Sequence, residues 1–538
     1  MATSEAVLQS VPSQQALRSD WRRGAAICAG LTAVALAVHG YHPFVEDGGV
    51  YITGIQHLLH PELYPYWSGF ATAHLRYELF APMVAALVRI TSISLMAIML
   101  MLYLAGIWAT LFAGWLLVAR CTSSLEARCG AVSLLALTLT IPAAGTSLIV
   151  MDPYVTARTI STPCTLFAIV AALYALDFAR AGSPRAWWSS ALCIACIAFA
   201  ALAHPLMAAY AFGSVLLLLA ASSETPRTRW ITTGAVCTVS FAAAAVLAWI
   251  SPRMSPDYVQ VALTRNYWFV ATWHWYEQFG LIAPLILLYW LARKTTEPGG
   301  SAARNVARMA VAAGATAIVV ALAFARVSDA GSLVARLQPL RIYQTIYVLM
   351  LLAVGAFLGE RALRRSAWRW AALFCVVGSL FYFVQEQTFP SSAHVEFPGS
   401  TPANPWEQGF LWIRAHTPVQ ARFALDSNYI NAPQEDSQNF RAIAERSALP
   451  DLAKDGGIAS IAPDLTSVWK EGEDLQANLD RGLGTAQIER LRGAGIDWVA
   501  LAARTPTTFP CAYSNVAMKV CELPRGPYDT RPVRSNSR

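Results

Sequence analysis

Apolar residues run along this chain in long blocks, separated by short polar segments in which arginine recurs. A helix needs about 20 mostly apolar residues to cross roughly 30 Å of hydrocarbon. On that criterion the pattern predicts eleven spans, at residues 24–40, 93–119, 131–150, 163–179, 187–203, 205–221, 231–250, 279–292, 306–325, 342–358 and 370–384. The fifth and sixth meet at His204-Pro205 with almost no loop between them, which suits a tight hairpin. From about Gln385 the apolar runs shorten and Pro, Asn, Asp, Glu and Gln become common, as in a soluble domain of ordinary size.

Within that last region the local signals are clear. Asn404 can cap a helix that starts with Pro405, has Glu407 at the reciprocal capping position and ends at Thr417-Pro418. Further elements are expected as a strand at 422–425, helices at 440–446 and 485–492, a strand at 497–502 and a closing hairpin, with a disordered tail from Arg525. The fold class is therefore mainly α: a polytopic membrane helix bundle with a C-terminal soluble α/β domain. Its segments are a cytoplasmic stretch 1–23, a transmembrane domain 24–384 containing a first outer loop 41–92, and an extracytoplasmic domain 385–538.

Composition confirms the class. Of 538 residues, 56% are hydrophobic and 14% charged, and the mean hydropathy is +0.42, far too apolar for an ordinary soluble protein. The formal charge of +7 does not point to nucleic acid, because the arginines fall between apolar spans rather than on one soluble face. With the amino terminus inside, the inner loops receive Arg18, Arg22 and Arg23; Arg120 and Arg128; Arg180 and Arg185; Arg227 and Arg229; Arg293, Lys294, Arg304 and Arg308; and Arg361, Arg364, Arg365 and Arg369. Basic inner loops are what the positive-inside rule requires. An odd number of spans then puts the carboxy-terminal domain outside a bacterial-type inner (plasma) membrane. Lysine is scarce, with only Lys294, Lys454, Lys470 and Lys519.

Directly after the first span come two adjacent carboxylates, Glu46 and Asp47, in His42-Pro43-Phe44-Val45-Glu46-Asp47-Gly48-Gly49. Charge at a bilayer edge is costly unless it is solvated, paired or used. Tyr51, Ile52, Ile55, Leu58 and Leu59 then follow at helical spacing, which predicts an amphipathic helix lying on the membrane surface. Asp47 can be a working carboxylate or simply the N-cap of that helix.

A first span, an outer loop opening with paired acidic residues and continuing into a surface helix, about ten further spans and an outer carboxy-terminal domain together resemble the GT-C superfamily of integral-membrane glycosyltransferases, which includes the protein O-mannosyltransferases and lipid A aminoarabinose transferases. The resemblance implies a sugar donor carried on polyprenyl phosphate and an acidic residue of the first outer loop as base, a role that falls on Asp47 or Glu46. It also directs attention to Asp152 and Arg158 in the second outer loop, and to Arg341, which resembles a late-loop arginine that contacts the lipid phosphate. Arg158 and Arg341 can equally reach for headgroup phosphates. His74 and Arg76 can line the site or pair with Glu78.

No cofactor is firmly indicated, although a divalent metal held by Asp47 and Asp152 is compatible with oxygen ligation. Cys511 and Cys521 flank the closing hairpin, where an oxidising compartment permits a disulfide. The expected partners are a polyprenyl-phosphate-linked sugar, the lipid bilayer and an acceptor, with no nucleic acid. P-loop, dinucleotide, nucleophile-elbow and metalloprotease motifs are absent from the sequence. Two other readings stand beside the transferase: a catalytically inactive GT-C-like envelope scaffold or binding protein, and a lipid or solute transporter. The transporter predicts charge within spans, and only Asp177 and Glu360 fall near span ends.

Overall fold

The computed structural model describes residues 14–294, 300–433 and 435–524, with side chains from Asp20 onward. The tail from Arg525 lies outside the described residues. The chain divides into two compact units. One holds the described residues up to Pro43, His74–Pro390 and His394–Ser400; the other holds Phe44–Ala73, Ser391–Ala393 and the described residues from Thr401.

Among the described residues of the first unit, eight helices are long and apolar enough to cross a membrane: Asp20–His39, Leu95–Cys121, Arg158–Arg180, Arg185–Ala203, Pro226–Trp249, Gly300–Phe324, Leu333–Leu363 and Ala367–Thr388. The protein is therefore an integral membrane protein. Two more of the expected segments are helical with less crossing capacity. Pro205–Ala221 is a 17-residue apolar helix, and Trp275–Lys294 carries Glu277, Arg293 and Lys294. Phe80–Thr91, inside the stretch read as outer loop, is a further apolar helix.

The expected span at 131–150 is corrected. Its helix, Leu125–Leu137, ends at Thr138, and the chain from there to Ala157 is irregular yet largely buried. Pro142, which lacks an amide hydrogen, sits opposite Ile149 in an isolated antiparallel bridge, and Ala144 and Ser147 adopt positive φ. Irregular backbone in an apolar setting must find internal partners. Here the His39 imidazole reaches the Thr140 hydroxyl (3.0 Å) and the Leu139 amide (3.3 Å), while the Gln344 amide donates to the Val150 carbonyl (3.0 Å).

Helix packing in this unit follows residue size. Gly130 lies against Gly355 and Gly359, and a Cβ on any of the three would overlap the opposing backbone. This is the small-residue contact that lets membrane helices approach closely. The hydrophobic windows of Arg158–Arg180 and Leu333–Leu363 are 67% buried, against 6% for Pro226–Trp249 and Ala367–Thr388, so the former pair is interior and the latter presents its apolar side chains outward.

The second unit is built on a five-stranded sheet: β1 (Arg422–Ala424), β2 (Ser447–Ala448), β3 (Trp498–Ala502), β4 (Tyr513–Ser514) and β5 (Met518–Glu522). The order is β2-β1-β3-β5-β4, with β1 parallel to β2 and β3, and β5 antiparallel to β3 and β4. Alternation along the strands supplies two cores. Phe423, Ala500, Met518 and Val520 face Trp406, Phe410 and Phe440 on one side. Ala424, Val499, Leu501 and Cys521 face Leu479, Leu491 and Ile496 on the other. Asn404 caps the Pro405–His416 helix by accepting from the Trp406 (2.8 Å) and Glu407 (3.4 Å) amides, and Cys511 is joined to Cys521 by a disulfide.

The helix after the first span belongs to this unit. Glu46–Leu59 is buried continuously from Gly48 to Gln56, so it is not the half-exposed surface helix that its spacing suggests. Glycine is the reason. A Cβ on Gly49 would overlap the Asn439 side chain and stand 2.8 Å from the Phe44 carbonyl oxygen. The close approach is fixed by the Asn439 amide donating to Phe44 O (3.1 Å), Gln56 Nε2 to Ala442 O (2.9 Å) and the Tyr64 hydroxyl to Arg441 O (3.0 Å).

Beside that contact lies a buried charge network. Arg441 Nη1 meets both carboxylate oxygens of Asp455 at 2.7 and 2.8 Å, and Asp455 accepts from the Asp451 amide (2.8 Å). Burial and the neighbouring Asp455 charge push the Asp451 carboxyl up to about 7, against an ordinary value near 4. Burial likewise pushes Glu473 up to about 7.

Two outcomes follow from this packing. Gly49→Ala must displace Asn439 or the backbone, so it should lower stability by about 1–3 kcal/mol, read as a lower melting temperature in detergent. The folded state holds the Asp451 proton to near neutrality while the unfolded chain releases it near pH 4. That contribution is fully present below about pH 4 and is lost as pH rises through about 7. Asp451→Asn, which preserves shape and acceptor, should therefore flatten the fall in melting temperature across this interval, and an unchanged slope would contradict the assignment.

Candidate functional site

Glu46 and Asp47 occupy the first turn of the Glu46–Leu59 helix, whose N-cap position is Val45, a residue with no capping side chain. Asp47 is therefore not the N-cap; it stands inside the helix, where a carboxylate is favoured by the positive end of the helix dipole. Glu46 has φ +51°, a left-handed conformation costing a non-glycine residue roughly 1–2 kcal/mol. Strain of this kind persists only where surrounding contacts hold it.

The cation facing the pair is Lys454. Its ammonium bonds to Glu46 and lies 3.4 Å from Asp47 Oδ1. Lys454 starts the Lys454–Ile461 helix, and its amide donates to Asp451 Oδ1 at 2.6 Å. The Glu46 and Asp47 side chains remain 45% and 41% exposed, against 16% for Lys454. Ion pairs this open contribute only about 0–1 kcal/mol to stability, so the fold does not require the arrangement. What it provides is two solvent-reachable carboxylates oriented by one fixed ammonium.

Sequence reasoning missed Lys454 as a site residue. The usable signal was its rarity: with four lysines in 538 residues, a lysine in the domain expected on the same side as the acidic loop is an unusual choice.

Asp152 and Arg158 meet in the first unit. Arg158 Nε and Nη2 both donate to Asp152 Oδ2, at 3.2 and 2.8 Å, with the Thr156 hydroxyl at 3.4 Å, and both charged side chains are almost fully buried. Arg158 is thus not reaching for headgroups; its guanidinium neutralises Asp152 and pins the irregular segment that precedes the Arg158–Arg180 helix. Arg341 lies in the 3-10 turn Pro339–Ile342, half-buried, with Nε donating to Gln338 Oε1 at 2.6 Å. His74 and Arg76 share the 3-10 turn Ala73–Arg76, His74 half-buried and Arg76 exposed, with Glu78 buried just beyond.

A divalent metal does not fit these carboxylates as they stand. Asp152 already faces a guanidinium and Asp47 an ammonium, and among the described residues no three His, Cys, Asp or Glu side chains converge as a ligand set. Glu46, Asp47 and Lys454 lie in the second unit, and Asp152, Arg158 and Arg341 in the first.

No family model matches the chain, and no curated protein matches it. Among solved structures, it is similar to the oligosaccharyltransferase of Archaeoglobus fulgidus in the apo form, at 10% identity and a TM-score of 0.45, over 91% of this chain and 70% of that one. The same enzyme with Zn and sulfate gives 10% identity and a TM-score of 0.44, over 89% and 68%. The arabinofuranosyltransferase AftD from Mycobacteria is similar at 13% identity and a TM-score of 0.46, over 94% of this chain and 40% of that longer one.

Proposed function

We propose that this protein is a membrane glycosyltransferase of the GT-C type, moving a sugar from a polyprenyl-phosphate donor to an acceptor at the extracytoplasmic face, with a carboxylate of the Glu46-Asp47 pair as general base. The observation that carries the reading is the pair itself. Two half-exposed carboxylates stand in the first turn of the Glu46–Leu59 helix, Glu46 on strained backbone, both in contact with Lys454. An acceptor hydroxyl must lose its proton as its oxygen attacks the anomeric carbon. The bond to the lipid phosphate breaks on the other side, and the phosphate leaves with the electron pair.

Asp47 is the preferred base. It is held within the first helical turn, whereas the more exposed Glu46 carries the strained φ and the closer contact with Lys454. Lys454 is a positioning residue: its ammonium bonds to Glu46 and lies 3.4 Å from Asp47 Oδ1, which restricts their rotamers.

Purified protein supplied with a labelled polyprenyl-phosphate sugar should transfer it. Asp47→Asn should lower kcat by roughly 100-fold or more, the scale of a lost general base, and Glu46→Gln should have a smaller effect. Full activity in both variants would end the base assignment. Lys454→Met should fold normally and lower kcat, because the carboxylates lose the ammonium that fixes their rotamers, and Lys454→Arg should restore part of the loss; an unchanged kcat in Lys454→Met would remove Lys454 from the site. A reporter fused after Val384 should be found outside the cytoplasm; an inside result would remove the topology on which the reading rests.

A further inference from the structure

The elbow between two crossing helices of the first unit carries more charge than a turn needs. Arg364, Arg365 and Ser366 alone separate Leu333–Leu363 from Ala367–Thr388, and Arg361 and Arg369 flank them closely. Glu360 is the one carboxylate between Gly359 and Trp370. A link this short between two spans stands at the bilayer surface, level with the lipid head groups.

The elbow has a defined geometry. Its first helix closes on a single π turn, Gly359–Leu363, a feature that concentrates at functional sites. Arg364 then adopts φ +48° and ψ −134°, a conformation that a non-glycine residue keeps only where surrounding contacts impose it. Here the Arg364 amide donates to Gly359 O (2.8 Å), and the Arg364 carbonyl accepts from Trp370 Nε1 (2.9 Å).

The guanidiniums are arranged by the same turn. Arg365 is committed to Glu126 at 3.1 Å. Arg364 Nε donates to Arg361 O (3.0 Å) and Arg369 Nη1 to Ala362 O (2.6 Å). Bonding to consecutive carbonyls brings both guanidiniums to one end of the π turn, and each keeps further N–H donors on an exposed side chain. Two such forks suit the oxygens of a phosphate. Trp368, 70% exposed, lies under the Arg369 guanidinium at 5.5 Å, as befits an aromatic ring at the membrane interface.

The size of the neighbouring space decides which part of a lipid is recognised. A cavity of about 110 Å³ opens beside the elbow, with Phe357, Glu360, Arg361 and Lys294 in its lining together with buried Leu288 and Leu352. It is smaller than the roughly 150 Å³ apolar cavity that admits benzene, so it takes at most a few carbons of an acyl chain. Recognition therefore rests on the head group. The quaternary ammonium of a zwitterionic lipid would be repelled by the arginines, whereas an anionic head group carries no such cation.

We infer that the Gly359–Trp370 elbow is a binding site for an anionic phospholipid, whose phosphate is held by Arg364 and Arg369. Such a site requires no transfer chemistry and is the same on either side of the membrane.

The test uses the full chain purified and delipidated in detergent, with bound lipid counted by native mass spectrometry. The probes are dioleoyl-phosphatidylglycerol, dioleoyl-phosphatidylcholine and inorganic phosphate. One phosphatidylglycerol should be retained saturably, with a preference of about tenfold or more over phosphatidylcholine. Arg364→Gln combined with Arg369→Gln should weaken that retention by about tenfold or more, and Arg369→Gln alone, which leaves the strained Arg364 in place, by about threefold or more. Melting temperatures without lipid should be unchanged. Arg185→Gln combined with Arg227→Gln, in the first turns of other helices, should leave retention intact. Equal retention of the two lipids, unaltered retention in Arg369→Gln, an equal loss on changing Arg185 and Arg227, or displacement by phosphate at the lipid's own concentration would overturn the inference.

Discussion

Hydrocarbon cannot accept a hydrogen bond, and the architecture of the first unit follows from that constraint. Long apolar segments must satisfy their own backbone groups, which the helix does internally. Where the chain departs from helix, between Thr138 and Ala157, it is buried, and its amides and carbonyls are met by His39, Gln344 and its own turns. The Asp152–Arg158 pair belongs to the same solution. Burying either charge alone would be costly, and the pairing allows both to stabilise an irregular segment.

The second unit obeys a different constraint, the need to cover both faces of a small sheet. Helices from the carboxy-terminal region cover them, and the Glu46–Leu59 helix, far away in sequence, packs with the Phe440–Ala444 helix and its flanking residues. Gly49 thus has a structural role, and the acidic residues just before it acquire their partner as a consequence. With Gly49 bringing that helix close to Asn439, Glu46 and Asp47 are brought to Lys454.

Charge in this unit is divided by burial. Arg441, Asp455 and Asp451 form an enclosed network in which one carboxyl keeps its proton to near neutrality. Lys454, one residue before Asp455, instead meets two open carboxylates, Glu46 and Asp47. The enclosed set specifies structure, and the open set is available for chemistry.

Apolar length and local chemistry were enough to read the membrane class, most of the crossing helices, the Asn404 cap and the strands at Arg422 and Trp498, because each depends on residues close together in the chain. The 131–150 segment failed on the same ground. Its apolar content is that of a span, but Pro142 and the surrounding threonines end the helix, and only tertiary packing makes the resulting irregular backbone tolerable. The acidic pair was legible as a candidate, but its cation was not, since Lys454 is more than 400 residues away. The burial of the Glu46–Leu59 helix likewise exists only after distant segments meet, whereas Asp152 and Arg158 lie six residues apart and only their burial depends on packing. Sequence alone determined most of the segments that become helices and strands; tertiary structure decided which charges are paired and which are left open, because a charge's partner is set by distance in space.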